Sequence, residues 1–305
     1  MASNITRSSA SNLLVEGIKL NFGVGYEQSE KVSRRIFDVV SSDRETEKYQ
    51  EFSSLGNHSV KSEGASAVAD TISQSNKSYI ENLAYAKKMN ITHEMLSDNK
   101  HNAVLQQALD LGVSAANTME VVAIDRLNTA FSTASADVLA DGSALCATDR
   151  PLAGGGTQSN AEGTPSALSE SSLISATTAI GKFKDPRGNK IHAKGILLCV
   201  PTELDVTSQK LLFSTLTVGS NNNDLNPFGR VNGRLPGGYV STPELTDPAS
   251  FFIKTNLRGL VIQEREKPRI MEDFKNSEMV KEVVSYFRMG IGAYDHRAIF
   301  GNAGA

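Results

Sequence analysis

The chain of 305 residues has no tryptophan, only two cysteines, and aromatic residues at 6% of positions. So few aromatics leave little from which to build a stacking pocket for a cofactor. Two cysteines, Cys146 and Cys199, make no disulfide framework, and a reducing compartment is the natural setting. Cys199 sits within Ile196-Leu197-Leu198-Cys199-Val200, where a buried, inert thiol is the default. That run is also the longest strongly apolar one, far below the ~20 residues of a membrane span, so no membrane partner is expected. The opening residues, Met1-Ala2-Ser3-Asn4-Ile5-Thr6, lack the basic and apolar regions of a secretion signal, which predicts synthesis and use in a cytoplasm. Charge of one sign is missing too. With 31 basic and 34 acidic residues and a formal net charge of -3, the surface cannot track phosphates along its whole length.

Catalytic motifs are equally scarce. His93-Glu94-Met95-Leu96-Ser97 begins like a zinc-protease helix, but Ser97 stands where the second histidine must be to present two ligands one helical turn apart. The other histidines, His58, His101, His192 and His296, are dispersed, and no metal-ligand spacing emerges. Gly23-Val24-Gly25 and Gly290-Ile291-Gly292 each lack the third glycine of a dinucleotide-binding turn. No phosphate-cradling loop and no nucleophile elbow occurs. No catalytic residue, cofactor or metal is therefore expected. The competing class is a soluble hydrolytic or metal-dependent enzyme. It predicts a small oligomer whose turnover is lost on mutation of His93.

What the chain does contain is a distinctive order of elements. Leu13, Leu14, Val15 and Ile18 form a short amphipathic helix, and Arg34 to Val40 a second short element, neither large enough to bury a core. From Ser41 to Ser78 the only large apolar residues are Tyr49, Phe52, Leu55, Val60, Val68 and Ile72. Six such residues cannot offset a backbone ordering term of roughly 1–2 kcal/mol per residue, so this stretch predicts a projecting two-stranded loop that docks elsewhere. It leads into a strand over Tyr79 to Ile91, with Tyr79, Leu83, Tyr85, Met89 and Ile91 on one face and Asn82, Lys88 and Asn90 on the other. Asp98 is a candidate N-cap for a long helix from Asn99 to Phe131, in which Gly112, Ala115 and Ala116 predict close packing against a sheet or neighbouring backbone.

Beyond the Gly-rich loop of Asp141 to Pro165 lies an α/β region. Ser169 caps a helix stapled by Leu168 and Leu173, and Asp185-Pro186-Arg187-Gly188-Asn189 is a turn. Gly195 to Val200 is a buried strand. Thr202 to Asp205 fits a capping box opening a helix to about Leu216, and a polar loop covers Ser220 to Gly238. Phe251 to Thr255 and Gly259 to Glu264 read as strands, as does the alternation Val283, Ser285, Phe287, Met289, Ile291. Glu264-Arg265-Glu266-Lys267 reads as a solvated strand edge.

An arm, a projecting loop, a long helix, an α/β region and a returning strand resemble, in that order, the major capsid proteins of tailed phages, the Hong Kong 97-type fold, and more closely the phage Mu-like major head protein branch. The residues that carry the resemblance are Tyr79 to Asp98, Asp141-Gly142-Ser143-Ala144-Leu145 followed by Pro151, and Ile196 to Leu212. One departure stands out: Arg150 occupies the place where relatives tend to carry a histidine.

The resemblance implies an α+β fold divided into an N-arm (1–48), an extended loop (49–90), a peripheral domain with the spine helix (91–166 plus 267–305) and an axial domain (167–266). It implies a non-enzymatic subunit of the virion. That subunit associates with itself as pentamers and hexamers, encloses double-stranded DNA without sequence preference, and works with portal and scaffolding proteins and a decoration protein. Assembly would take place in the host cytoplasm. An encapsulin-like compartment shell is the alternative within the same fold. Candidate inter-subunit contacts are Arg34, Arg35, Tyr49, Phe52, Lys61, Glu63, Lys87 and Lys88. Arm and loop are both expected to find their burial on neighbouring copies, across interfaces well above ~1,000 Å².

Overall fold

The computed structural model describes residues 7–53, 55–72, 74–92, 94–95, 98, 101–134, 138–152, 155–216, 225–229, 234–275 and 280–305. His93, Ser97, Asn99, Gly154 and residues 217–224, on which sequence expectations fell, lie outside these, as do the side chains of Leu13 and Leu14.

The long helix is present as α3 (His101–Asn128), roughly 42 Å of rod at about 1.5 Å per residue. Val104, Ala108, Leu111, Ala115, Met119, Ala123 and Leu127 recur every three or four residues and form its buried stripe. Against it lies α1 (Arg7–Gln28), and this corrects the expectation of a short helix too small to bury a core, in an arm that finds its burial on neighbouring copies. Ile18 and Phe22 of α1 are buried in the same core as Val104, Ala108 and Leu111. The reason is glycine. A Cβ on Gly112 would overlap the Phe22 carbonyl, and one on Gly25 the Leu109 carbonyl, so the two backbones meet where side chains are absent. Small residues predicted a close approach, and the partner is the arm itself. The following turn, α2 (Ser33–Ile36), is tied to α3 as well: the Ser33 backbone N–H and hydroxyl both donate to the Glu120 carboxylate, at 2.7 Å each.

One sheet has the order β1 (Asp38–Ser41), β10 (Leu260–Lys275), β11 (Val280–Ala293), β4 (Leu83–Thr92), antiparallel apart from β1 beside β10. The hairpin of β10 and β11 far exceeds the expected Gly259 to Glu264. Beyond Glu264 the strand is held by cross-strand ion pairs, such as Glu272 to Lys281 at 2.7 Å. Apolar alternation does not reveal such a segment. Register slips around Glu266 and Arg269, next to Pro268, which has no N–H to donate.

The expected strand over Tyr79 to Ile91 is two strands. β3 (Gln74–Glu81) pairs with β2 (Thr46–Phe52), and β4 pairs with β11. Asn82 sits at the break, and contrary to expectation it is buried, its Nδ2 donating to the Ser42 hydroxyl (2.9 Å) and the Arg44 carbonyl (2.8 Å). Tyr79 and Leu83, expected to be buried, are exposed.

The second sheet has the order β12 (Ile299–Asn302), β9 (Phe251–Thr255), β7 (Gly195–Pro201), β8 (Tyr239–Thr242). With α4 (Glu170–Gly181) and α5 (Asp205–Phe213) it encloses a second core of Leu173, Ile180, Phe183, Leu198, Phe251 and Phe300. Ser169 caps α4 in a reciprocal box with Ser172, as its sequence suggests. Thr202 does not cap α5. A 3-10 turn (Thr202–Leu204) precedes the helix, whose N-cap is Leu204. A two-residue ladder of β5 (Arg150–Pro151) and β6 (Thr157–Gln158) pins the loop between α3 and α4.

Candidate assembly interface

The extended loop consists of β2, β3 and the connection between them, and its root and tip differ sharply. At the root, Tyr49 stacks on Tyr294 with ring centroids 4.4 Å apart and planes 3° from parallel. The Tyr49 hydroxyl accepts from Gln263 Nε2 at 2.9 Å. Two residues on, Glu51 accepts from Arg297 Nη2 at 2.9 Å, while Asp295 grips the same guanidinium through Nε and Nη2. Burial pushes the Glu51 carboxyl up, against the pull of Arg297.

Behind this pair is a cleft of about 370 Å³ lined by Glu51, Asp141, Arg150, Tyr294, His296 and Arg297. Arg150 is 1% exposed. It pairs with Asp141 and donates to the carbonyls of Ala144 and Leu145, locking the loop after α3. Burial, followed by the charge of Arg150, holds His296 down at about 3, so the imidazole is neutral. These groups are braces. They converge on each other's charges, and none is poised as a nucleophile. Burial likewise pushes Cys146 and Cys199 up to about 12, which suits inert core thiols. Among the described residues no group of three His, Cys, Asp or Glu could hold a metal ion. None of their helices is long and apolar enough to cross a membrane.

The tip is different. Every residue from 57 to 72 is exposed, including Val60 (100%) and Val68 (80%), and Leu55 is exposed just before them. Lys61 and Glu63 lie in this stretch, and Phe52 is exposed where β2 ends. The tip is tied to the body by Arg187, which donates to both oxygens of Asp70, at 2.7 and 2.9 Å.

The remaining basic candidates have partners in their own chain. Arg34 pairs with Glu264 and donates to the Tyr26 hydroxyl, which makes Glu264 an arm contact and not merely a solvated edge. Arg35 donates to the Gly237 carbonyl (3.1 Å), Lys87 to the Ser114 hydroxyl (3.0 Å), and Lys88 pairs with Glu282 (2.9 Å). The eight candidates are therefore not one patch. Phe52, Lys61 and Glu63 belong to the loop, Arg34 and Arg35 lie within α2, and Lys87 and Lys88 lie on the edge strand β4. Sequence reasoning missed Glu51, Asp70, Arg187 and Arg297, because partners more than a hundred positions apart leave no periodic signal.

Residues 80–302 match the family model for phage capsid protein. No curated protein matches the sequence. Several solved structures share the fold. A virus-like particle from Pyrococcus furiosus superposes with a TM-score of 0.57 at 11% identity, over 94% of this chain and 98% of that one. The capsid of an empty GTA particle gives 0.56 at 16% identity, over 90% and 89%. The capsid of Myoviridae phage XM1 gives 0.53 at 11% identity, over 88% and 90%. At such identities these likenesses speak to the fold, which is the Hong Kong 97-type capsid fold expected from the order of elements. The family match runs from the end of β3 to the last strand, and on it the chain belongs to the phage capsid protein family.

Proposed function

We propose that this chain is the major head protein of a tailed phage, working as pentamers and hexamers that close an icosahedral shell around double-stranded DNA. The observation that carries this reading is the family match from β4 through α3 to the last strand, joined to an extended loop whose tip, with Val60 and Val68, its own body leaves uncovered. A fold with two well-filled cores does not need Val60, Val68 and Leu55 in water. A second copy would cover them.

Within this reading the chain divides into arm (1–48), extended loop (49–90), peripheral domain (91–166 and 267–305) and axial domain (167–266), with β10 crossing residue 266 as a continuous strand. Phe52, Lys61 and Glu63 are proposed to meet a neighbouring subunit at the loop. Arg34, Arg35, Tyr49, Lys87 and Lys88 support the surfaces on either side of it. Portal and scaffolding proteins and a decoration protein are the proposed partners, contact with DNA is non-specific, and assembly occurs in the host cytoplasm before the subunit resides in the virion. No catalytic step is assigned.

Light scattering and negative-stain microscopy of the purified chain test the reading. Capsomers or closed shells of megadalton size are expected. A stable monomer at high concentration would overturn it, and particles filled with protein and free of nucleic acid would move it to a cellular compartment shell.

A further inference from the structure

We propose that the ion pair between Asp70 and Arg187 is an intramolecular latch, which parks the extended loop on its own subunit and is released when that loop passes to a neighbour. The proposal rests on the shell reading above.

Three features of the structure support it. The socket is rigid: Asp185 accepts from the backbone N–H groups of Arg187 (3.0 Å) and Asn189 (2.7 Å) and from Asn189 Nδ2 (2.9 Å), and Gly188 takes φ +92° to close the turn. The bolt is organised too. The Gly56 and Thr71 N–H groups donate to the Asp70 carboxylate at 2.7 and 2.8 Å, drawing the two limbs of the tip together behind the charge offered to Arg187. The fastening itself is light, because both side chains are about one-third exposed (35% and 34%) and solvent screens pairs of that kind.

The contrast with the root is informative. Tyr49 and Glu51 are held by stacking and by a half-buried guanidinium, so the strands near the body are a fixed hinge. The tip is joined by a reversible contact while its apolar residues stay in water. A permanent docking surface would bury Val60, Val68 and Leu55; this one holds the loop in register without covering them. Those residues remain available to a second copy, whose burial of them can outbid one screened ion pair. The Arg187 guanidinium and the two N–H donors hold the Asp70 carboxyl well below the usual carboxylate range, so the latch is shut at any neutral or mildly acidic pH. A competing surface must open it, not protonation.

Energy transfer between dyes on Ser66→Cys and Lys190→Cys tests this, with the buried native cysteines unreactive. Labelled chain is diluted into a large excess of unlabelled chain, so that only transfer within one subunit is read. High transfer is expected in the free chain, with a fall on assembly. Arg187→Met and Asp70→Asn should lower transfer in the free chain and speed assembly about fivefold or less, the range of one exposed pair. The charge-swapped double variant, Asp70→Arg with Arg187→Asp, should recover part of both, since the pair returns while the Gly56 and Thr71 N–H groups lose their acceptor. Unchanged transfer on assembly, no effect of Arg187→Met on the free chain, or slower assembly of the opened variants would each overturn the latch. Failure of the unsubstituted chain to form particles, read separately by light scattering, counts against the shell reading. The latch then stands or falls on the free-chain transfer of Arg187→Met.

Discussion

The N-terminal arm and the extended loop both read in the sequence as segments too weak to bury a core of their own, and they end in opposite states. The arm places Ile18 and Phe22 one helical turn apart and lays them on a neighbour notched at Gly112, so a handful of residues suffices for burial. The loop spreads Leu55, Val60 and Val68 along a connection without regular structure, where no two are held on one face. The number of apolar residues does not by itself decide whether a segment folds back on its own body. Periodicity and a complementary partner do.

Four experiments would break or sharpen that contrast. The largest effect is expected at the brace under the loop root. Arg150→Ala leaves Asp141 without its partner in a nearly closed site and should destabilise the chain by about 3–5 kcal/mol, measured by denaturant unfolding. A loss no greater than that of a surface substitution would mean the loop after α3 is not held by buried charge.

Next is acid sensitivity. His296 is held near 3 in the folded chain and would titrate at about 6.5 when unfolded, so the unfolded state binds more protons between those values. Stability is therefore full above about pH 6.5 and declines as pH falls toward 3. His296→Gln should shrink the difference in stability between pH 7 and pH 4.5 by about 2–3 kcal/mol at most. An identical difference in the two proteins would sink the assignment.

The arm comes third. Gly112→Ala inserts a methyl group where the α1 backbone passes and should cost about 1–3 kcal/mol, with α1 becoming the first site of protease cleavage. Unaltered stability and protection would show that the arm is not seated on α3.

Deleting residues 57–69 should matter least for stability, within about 0.5 kcal/mol, because the segment buries nothing in its own chain. Shell closure should nevertheless be blocked. Intact shells from the deleted chain would refute a docking role for the tip.

Much of the framework was legible. Spacings of three and four residues mark α3, the apolar run marks β7, and Ser169 marks the start of α4. The far half of β10 was hidden, since beyond Glu264 it is held by charge pairs such as Glu272 with Lys281 and shows no apolar alternation, whereas its partner β11 was legible from Val283, Phe287 and Ile291. Asn82 misled for a related reason. A polar residue at a strand break can be buried if its amide finds Ser42 and Arg44, and those partners lie some forty positions away. At the candidate interface the exposed, apolar-poor loop could be read in advance. Its fastenings could not.

The sequence by itself determined where helices and core strands form, because local periodicity and caps act over a few residues. It also determined that a long stretch after the arm could not bury itself. Only the tertiary structure decided that the arm is seated on α3, that Arg297 and Tyr294 fix the loop root, and that Arg187 holds the tip. Each of these joins residues far apart in the chain, and a charge or a glycine gives no sign of its partner until folding brings the two together.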